Sequence, residues 1–282
     1  MDTREALIEQ LLDLAFAEDI GDGDHTTLST IPADAMGRSR LIIKEEGILA
    51  GVEVAEKVLH RVDPNITMDV MIKDGESVKP GDVAFVASGP VRSLLVAERT
   101  MLNIMQRMSG VATMTAKYQA ELRGLHTKVL DTRKTTPGMR ILEKEAVRIG
   151  GGTNHRIGLF DMILIKDNHI DFAGGIEKAI ERAREYCGIN GKNLRIEVEV
   201  RSLDDIRRVL ATGGVDRIMF DNFTPEQTKV AVGIVDGAVE TESSGGITLD
   251  NLRAYGEAGV DFISVGALTH SVKGLDMSFK AC

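Results

Sequence analysis

The feature that most constrains the fold is a regular alternation of short apolar runs with helical stretches, which begins near residue 125. Helical patterns over residues 176–186, 203–211, 225–232 and 249–258 separate most of the runs. Strands that alternate with helices pair in parallel, because each helix carries the chain back to the start of the next strand. The predicted strands are Lys128–Leu130, Met162–Ile165, Leu194–Val198, Arg217–Phe220, Ala238–Thr241 and Phe262–Val265.

A polar residue or a glycine follows or ends each of these runs. In an α/β barrel the carboxyl ends of all strands surround one site, whereas a doubly wound sheet uses only the strands beside its switch point. The repetition therefore favours a barrel. Residues 127–282 are far fewer than the roughly 250 of a full eight-stranded barrel. We expect an incomplete α/β barrel with about six parallel strands, whose open side is covered by the first domain or by a partner subunit. The strand-end residues are Asp131, Lys166, Glu199, Asp221, Glu242 and Gly266.

The chain before this alternation has a mixed α and β pattern. An apolar stripe along residues 3–19 predicts an amphipathic helix, and residues 52–61 predict another. A long helix is predicted over residues 91–122, in which Gly110 indicates a close contact or a kink. The strand patterns lie at Arg38–Lys44, Ile66–Ile72 and Val83–Ala87.

These patterns divide the chain into two domains and a tail. We expect an N-terminal α/β domain over residues 1–110, which includes part of the long helix. A barrel domain follows over residues 111–270, and a C-terminal segment over 271–282.

Composition excludes several classes of protein. The 282 residues are 43% hydrophobic, a fraction suited to a globular protein rather than a disordered chain. No window approaches the roughly 20 apolar residues of a membrane span, and the start of the chain lacks the pattern of a secretory signal. Two cysteines, Cys187 and Cys282, are too few for a disulfide framework. We therefore expect a cytoplasmic protein.

Charge is distributed unevenly along the chain. The net charge of −9 argues against binding to nucleic acid or anionic membranes. Residues 131–169 nevertheless hold seven Lys and Arg against five Asp and Glu, so this stretch carries +2 and the remainder −11. A basic stretch within an acidic protein indicates a local site for anions.

Two loops of this stretch carry paired cations. Arg133 and Lys134 follow the first barrel strand and combine a bidentate fork with a point charge, a pair suited to carboxylate or phosphate. The glycine run Gly150–Gly152 leads to His155 and Arg156. Glycine lets backbone amides approach an anion closely, so this loop is a second candidate.

The following strands place charged side chains at their ends. Lys166 is compatible with a Schiff-base nucleophile, an anion ligand or a member of an ion pair. Strand alternation puts Glu197 and Glu199 on one face, pointing into the barrel, and Asp221 ends the next strand. Buried acids are rare unless they are paired or bound to metal. Glu199 and Asp221 are therefore candidates for Mg²⁺ or sugar hydroxyls, with a salt bridge to the basic loops as the alternative.

Small residues follow the last two predicted strands. Loops of this kind after the late strands of a barrel form the usual phosphate cradle. This chain has two such loops, and the distance from Ser244 to Gly266 is 22 residues. Two loops indicate a phosphate site more specifically than one. The loops are Glu242–Gly246 and Ser264–Ala267.

Together these motifs resemble the quinolinate phosphoribosyltransferase family, whose members make nicotinate mononucleotide. The match follows the family order through most of the chain, and Glu18–Thr27 is similar as well, whereas the rest of the N-terminal domain matches less specifically. The matching segments are Glu98–Asn103, Asp131–Thr135, Asn154–Arg156, Lys166–His169, Glu197–Glu199, Phe220–Asn222, Ser243–Gly246 and Ser264–Leu268.

The resemblance implies a sandwich-like α/β N-terminal domain beside an incomplete barrel. It also implies a homodimer with shared active sites, in which each N-terminal domain covers the partner's barrel and Arg99 reaches the partner's site; assembly beyond a dimer stays open. The implied cofactor is Mg²⁺, which arrives with 5-phosphoribosyl 1-pyrophosphate (PRPP).

The resemblance also assigns residues to the two substrates. The implied quinolinate ligands are Arg99, Thr132, Arg133, Lys134, His155, Arg156 and Lys166. The implied phosphoribosyl and phosphate ligands are Glu199, Asp221, Ser244, Gly245, Gly246, Ser264, Gly266 and Ala267. Glu199 and Asp221 are the implied metal ligands, and the implied catalytic set is Lys134, Lys166, Glu199 and Asp221.

Two other interpretations of the sequence stay open. The first is a related phosphoribosyltransferase with another substrate, such as nicotinate or that of a molybdenum-associated paralogue. The second is a protein of another class, either a lysine Schiff-base lyase on a barrel or a phosphosugar-binding protein without turnover.

Overall fold

The computed structural model describes residues 3–282, which fold as two compact units. The first unit takes in residues 3–116, together with Thr135–Gly151 and Leu268–Cys282. The second consists of Lys117–Lys134 and Gly152–Ala267. Each unit has its own main sheet.

The helices and strands are numbered in chain order. The helices are α1 (Thr3–Ile20), α2 (His25–Thr30), α3 (Val52–Val62), α4 (Val91–Glu121), α5 (Arg140–Ile149), α6 (Asp167–Ala173), α7 (Ile176–Ile189), α8 (Leu203–Thr212), α9 (Pro225–Val235), α10 (Leu252–Glu257) and α11 (Ala267–His270). The strands are β1 (Met36–Ile43), β2 (Gly47–Ile48), β3 (Thr67–Val70), β4 (Ser77–Val78), β5 (Val83–Pro90), β6 (Lys128–Leu130), β7 (Ile163–Ile165), β8 (Ile196–Val200), β9 (Arg217–Asp221), β10 (Glu240–Ser244), β11 (Phe262–Ser264) and β12 (Met277–Ala281).

The first unit is built on a four-stranded antiparallel sheet. Its strand order is β12-β1-β5-β3, so the last strand of the chain lies beside the first. A separate two-stranded ladder joins β2 to β4. Leu41, Phe85 and Phe279, from three neighbouring strands, are buried together with residues of α3 and α4. The amphipathic helix α3 supplies Val54, Val58 and other apolar side chains.

Helix α4 passes very close to the chain segment that precedes β12. A Cβ built on Gly110 would lie 2.3 Å from the carbonyl oxygen of Lys273 and 2.9 Å from a methyl of Val272. The predicted close contact at Gly110 is therefore confirmed, because no larger residue fits there without movement of the backbone.

The second unit contains six parallel strands in the order β6-β11-β10-β9-β8-β7. The prediction of about six parallel strands with helical crossovers is confirmed. Within the described residues the ladder ends at β6 and at β7, so the barrel is incomplete, as expected.

Local signals in the loops start the crossover helices. The hydroxyl of Ser202 accepts a hydrogen bond from the backbone N–H of Asp205 and caps α8. Thr224 and Gln227 form a capping box at the start of α9, with Pro225 in its first turn. Because each cap directly follows a strand, the carboxyl ends of the strands have short, fixed exits into the helices.

The prediction for the fifth barrel strand was misplaced. Asp236 and Gly237 adopt left-handed conformations with φ of 45° and 71°, and this turn delays β10 to Glu240–Ser244 instead of 238–241. Glu242, predicted at a strand end, consequently lies in the middle of β10 and is fully buried. Likewise β8 extends to Val200, so Glu199 lies within it.

Several elements were not predicted. They include α5, α6 and the terminal strand β12, which pairs with β1. Helix α10 is also shorter than the predicted 249–258. Among residues 3–282, no helix combines the length and the apolar character required to cross a bilayer.

Candidate active site

The predicted site residues of the second unit collect at the carboxyl ends of its strands. Parallel pairing explains this, because it puts the ends of all the strands at one edge of the sheet. In the register Ser244 lies beside Asp221, and Ser243 lies beside Ile263, the neighbour of Ser264. The loops after β6, β7, β10 and β11 therefore open at the same end of the unit.

Cations of two loops face the same region. Arg133 is exposed in the loop after β6, and Arg156 is half-buried. Burial lowers the pKa of Arg156, and the positive charge of Arg133 lowers it further. Two guanidinium groups that repel one another in this way are stabilised by an anion placed between them.

The buried carboxylate of Asp131 fixes the second of these loops. Its Oδ1 accepts the backbone N–H of His155 over 2.8 Å. The Asp131 N–H in turn donates to the carbonyl of Thr153 over 3.2 Å. Asp131 was predicted as a strand-end residue, and the structure shows that it holds the chain just before Arg156.

Lys166 and Glu199 form an ion pair. The Lys166 Nζ lies 3.0 Å from Glu199 Oε2, and the lysine side chain is 46% exposed. The alternative of a salt bridge between a strand-end acid and a basic loop is thus realised for Glu199. Lys166 lies at the turn from β7 into α6, where its backbone N–H donates to Nδ1 of His169.

Four charged or polar side chains form a buried column on one face of the sheet, and we call His155, Glu197, Glu242 and Arg217 the polar column. His155 Nε2 lies 2.8 Å from Glu197 Oε2 and 3.5 Å from Glu242 Oε2. Glu242 accepts a 3.0 Å hydrogen bond from Arg217 Nη1. Arg217 also binds Glu240 and stacks over the ring of Phe262, 4.1 Å from its centroid.

Burial dominates the acid–base properties of the polar column. It raises the pKa of Glu197 to about 7, against the opposing effect of the Arg217 charge. It raises the pKa of Glu242 to about 8, and the neighbouring Glu197 charge adds to that rise. The interior of this sheet therefore holds acids that keep their protons to unusually high pH.

The loops after β9 and β10 interlock tightly. The N–H of Asn222 donates to the carbonyl of Ser244 over 2.8 Å. Gly245 has a φ of +99°, and a Cβ there would lie 2.3 Å from Asn222 Oδ1. Asn222 itself has a positive φ of 56°, an uncommon conformation for a residue other than glycine. Gly245 is thus required on both steric and conformational grounds, and the backbone amides beside it are held in place.

The remaining predicted phosphate residues lie in the same loops. Gly246 follows Gly245 and is exposed, with a φ of +62°. Ser264 is buried at the end of β11, and Gly266 and Ala267 follow it at the start of α11.

The other predicted quinolinate residues lie at the surface. The Thr132 hydroxyl accepts the backbone N–H of Lys134 over 3.0 Å and so bends the loop after β6. Lys134 is exposed in that loop. Arg99 lies on α4 in the first unit, where it lines a cleft of about 320 Å³ with Glu18 and Asp19.

A second cleft, of about 380 Å³, opens beside Glu199. Arg201 and Arg208 line it, and they pair with Asp167 and Glu177 respectively. Sequence reasoning did not identify these two arginines, although Arg201 directly follows β8, where a strand-end signal was available.

Sequence reasoning also missed Arg217 and the role of Glu242, and it gave Asn222 no role beyond its place in the matching segment Phe220–Asn222. A usable signal existed for the first two, because Glu240 and Glu242 alternate along β10 as Glu197 and Glu199 do along β8. Acids on the same face of β8 and β10 require a cation, and Arg217 begins β9, which lies between these two strands. The left-handed backbone of Asn222 has no comparable signal.

Known proteins match this chain over most of its length. The model of the quinolinate phosphoribosyl transferase C-terminal domain matches residues 111–280, and that of the N-terminal domain matches residues 24–109. The chloroplastic nicotinate-nucleotide pyrophosphorylase [carboxylating] of Arabidopsis thaliana is 44% identical over 97% of this chain and 82% of its own length. The probable nicotinate-nucleotide pyrophosphorylase [carboxylating] of Bacillus subtilis is 44% identical over 96% of this chain and 92% of its own.

A solved structure extends the agreement to the whole fold. The crystal structure of NadC from Streptococcus pyogenes superimposes with a TM-score of 0.93 at 40% identity, covering 99% of this chain and 98% of that one. Both domain models and full-length relatives therefore point the same way: this chain belongs to the quinolinate phosphoribosyltransferase family.

Proposed function

We propose that this chain transfers the phosphoribosyl group of PRPP to quinolinate with decarboxylation, giving nicotinate mononucleotide, pyrophosphate and CO₂ for NAD biosynthesis. Family membership supports the reaction. The observation that carries it here is the grouping of Arg133, Arg156 and Lys166 in loops at the carboxyl ends of the parallel strands, because three cations at that edge suit a small dianion.

Quinolinate would enter as that dianion. Arg133 and Arg156 would each pair with a carboxylate through charge-assisted hydrogen bonds, and Lys166 would turn from Glu199 to join them. Thr132 and Lys134 adjoin Arg133 in the same loop. Arg99 would complete the set from the partner subunit of a homodimer.

PRPP would bind beside quinolinate. The loops at Ser244–Gly246 and Ser264–Ala267 present serine hydroxyls and backbone amides, which suit the 5-phosphate. Asp221 and Glu199, once Glu199 is released by Lys166, would face the ribose. Their negative charges would stabilise the oxocarbenium-like transition state.

The donor set fits Mg²⁺ delivered with PRPP. Mg²⁺ is typically held by one or two carboxylates together with substrate phosphates. Glu199 and Asp221 lie on neighbouring strands and, in the register, on the same face. Lys166 balances the charge of Glu199. When bound, the ion would offset the charge of the departing pyrophosphate.

The chain's own residues then act mainly by positioning. The quinolinate ring nitrogen attacks the anomeric carbon as the bond to pyrophosphate breaks. The resulting pyridinium accepts the electron pair of the adjacent carbon–carboxylate bond, and CO₂ leaves. A proton must then reach the ring carbon, and we propose Lys134 as its donor. Because no covalent enzyme intermediate is needed, orientation of the two substrates supplies much of the rate.

The location we propose is the cytoplasm. The support is the small number of cysteines, since Cys187 and Cys282 are too few for a disulfide framework.

An assay with quinolinate, PRPP and Mg²⁺ tests the proposal directly. We expect pyrophosphate and CO₂ in equal amounts, with no reaction when nicotinate replaces quinolinate. Turnover of nicotinate instead would indicate the related transferase. Covalent trapping of a carbonyl substrate on Lys166 by borohydride, without pyrophosphate release, would indicate the lyase.

A further inference from the structure

Both ring nitrogens of His155 are engaged by protein groups. The backbone N–H of Arg156 donates to Nδ1 over 2.7 Å. Nε2 lies 2.8 Å from Glu197 Oε2. A backbone amide can only donate, so Nδ1 accepts and carries no proton. Nε2 therefore carries the proton of the ring and donates it to Glu197.

This tautomer leaves His155 without a donor for a substrate. The side chain is 6% exposed, and a carboxylate ligand would need an N–H from the ring. To provide one, His155 would have to rotate. The Arg156 amide and the Glu197 carboxylate would then lose their partner inside a buried site, which is costly.

Three further contacts hold the same segment. Asp131 Oδ1 accepts the His155 backbone N–H over 2.8 Å. Glu242, itself anchored by Arg217, lies 3.5 Å from Nε2. The Arg156 Nη1 donates to the carbonyl of Met162 over 3.4 Å. These contacts therefore hold three groups one after another, from the interior of the sheet outward. They are the His155 ring, the backbone of Arg156 and the Arg156 guanidinium.

We propose that His155 is a positioning residue and not a ligand of quinolinate: Glu197 and Glu242 hold its ring, and its Nδ1 holds the backbone of Arg156 so that the guanidinium faces the substrate. The identity of the substrate rests on the proposed function, whereas the state of the ring does not. Glu197 and Glu242 are positioning residues in the same sense.

Nitrogen-15 NMR of enzyme labelled at histidine tests the state of the ring. The His155→Asn variant assigns the His155 signals by their loss. We expect an unprotonated Nδ1 and a protonated Nε2 in the free enzyme, with the same pattern when quinolinate is saturating. A proton on Nδ1, before or after quinolinate is added, overturns the proposal.

Kinetics of Glu197 variants test the positioning. In Glu197→Gln the amide oxygen still accepts the Nε2 proton, so we expect quinolinate affinity to stay close to that of the wild type. Glu197→Met removes the acceptor, and the loss of one buried hydrogen bond should raise the KM for quinolinate about tenfold. The KM for PRPP should not change. Glu240→Gln is the matched control, since Glu240 binds Arg217 but does not contact His155.

Other outcomes would refute the proposal. If Glu197→Met raised the KM values for quinolinate and PRPP equally, the effect would lie at Glu199 or in general stability. If it left the KM for quinolinate unchanged, the His155 ring would need no acceptor. If Glu197→Met does not fold, the wild-type spectra still decide. Failure of the wild-type enzyme to use quinolinate would refute the proposed function, while the spectrum of the free enzyme would report the ring separately.

Discussion

Arg133 and Arg156 bring two positive charges together at the carboxyl ends of the strands of the second unit. Arg133→Ala should weaken quinolinate binding strongly and PRPP binding little, because the guanidinium is proposed to meet a carboxylate of quinolinate alone. Charge-assisted hydrogen bonds contribute about 1.5–3 kcal/mol, which corresponds to roughly ten- to a hundredfold in Kd. Calorimetry with each substrate separately measures both affinities.

A surface arginine provides the control for this measurement. Arg253 lies on α10, is half exposed and pairs with Glu257. Arg253→Ala should change neither affinity, because exposed ion pairs contribute little. Equal losses for quinolinate and PRPP in Arg133→Ala would reject the assignment of Arg133 to quinolinate.

Glu242 should make the stability of the protein depend on pH. Its pKa is raised from the ordinary 4.5 to about 8, chiefly by burial. The folded protein therefore keeps a proton that the unfolded chain releases, so the stabilisation is complete below pH 4.5 and is lost as the pH rises to about 8. Glu242→Gln removes this titration while keeping the shape of the side chain. Urea unfolding should show a smaller fall in the free energy of unfolding between about pH 5 and pH 8 than in the wild type.

The exposed Glu257→Gln serves as the comparison for that experiment, because Glu257 is 57% exposed on α10. Its stability curve should run parallel to that of the wild type. If Glu242→Gln also gave a parallel curve, the raised pKa of Glu242 would not contribute to stability.

At the scale of elements, helix α4 depends on the absence of a side chain at position 110. Gly110→Ala would place a methyl against the backbone of Lys273, which moves less easily than a side chain. We expect a loss of about 1–3 kcal/mol in unfolding free energy despite the higher helix propensity of alanine. Thermal and urea unfolding measure this loss.

Gly233 is the matched control for Gly110. It also lies within a helix, α9, but a Cβ there would meet no atom within 4 Å. Gly233→Ala should therefore stabilise the protein by up to about 1 kcal/mol. Gly110→Ala with a stability equal to that of Gly233→Ala would show that the close contact carries no cost.

The long helix α4 could be predicted almost to the residue because its apolar pattern is continuous, whereas α5 could not. Two charged residues of α5, Glu143 and Lys144, are buried. Glu143 binds the Arg107 guanidinium, and its Oε2 accepts the N–H of Thr136 over 3.1 Å. Polar residues that become buried through such partners do not follow the hydrophobic period. Strand β12 was missed for a different reason. Its partner β1 lies near the other end of the chain, and no local pattern shows that pairing.

Part of the candidate site could likewise be predicted from the sequence, and part could not. The meeting of the loops at Arg133, Arg156 and Lys166 was predictable, because parallel strands end at one edge. The alternation of acids along β8 and β10 indicates charge inside the barrel, but the partners within the polar column could not be predicted, because they depend on exact distances between strands. The tautomer of His155 follows from two distances that no sequence pattern encodes.

At the scale of the whole molecule, the proposed homodimer predicts that two inactive variants recover activity when their subunits are mixed. Arg99→Ala and Lys166→Ala should each be inactive alone. If Arg99 serves the partner's site, mixed dimers contain one intact site, and random exchange should restore about a quarter of wild-type activity. Activity after mixing, with exchange verified by mass spectrometry of differently tagged subunits, measures this. Exchange without recovery would contradict a shared site.

The pairing of β12 with β1 has a consequence for synthesis on the ribosome. The first strand of the N-terminal sheet emerges early, yet β12, the strand beside it, is made only after the second unit. The nascent chain must therefore expose the edge of β1 while the entire second unit is translated. An unpaired edge is a template for association with other chains. Truncation a few residues before Met277 should consequently yield aggregates during expression, even though every residue of the candidate site would still be encoded.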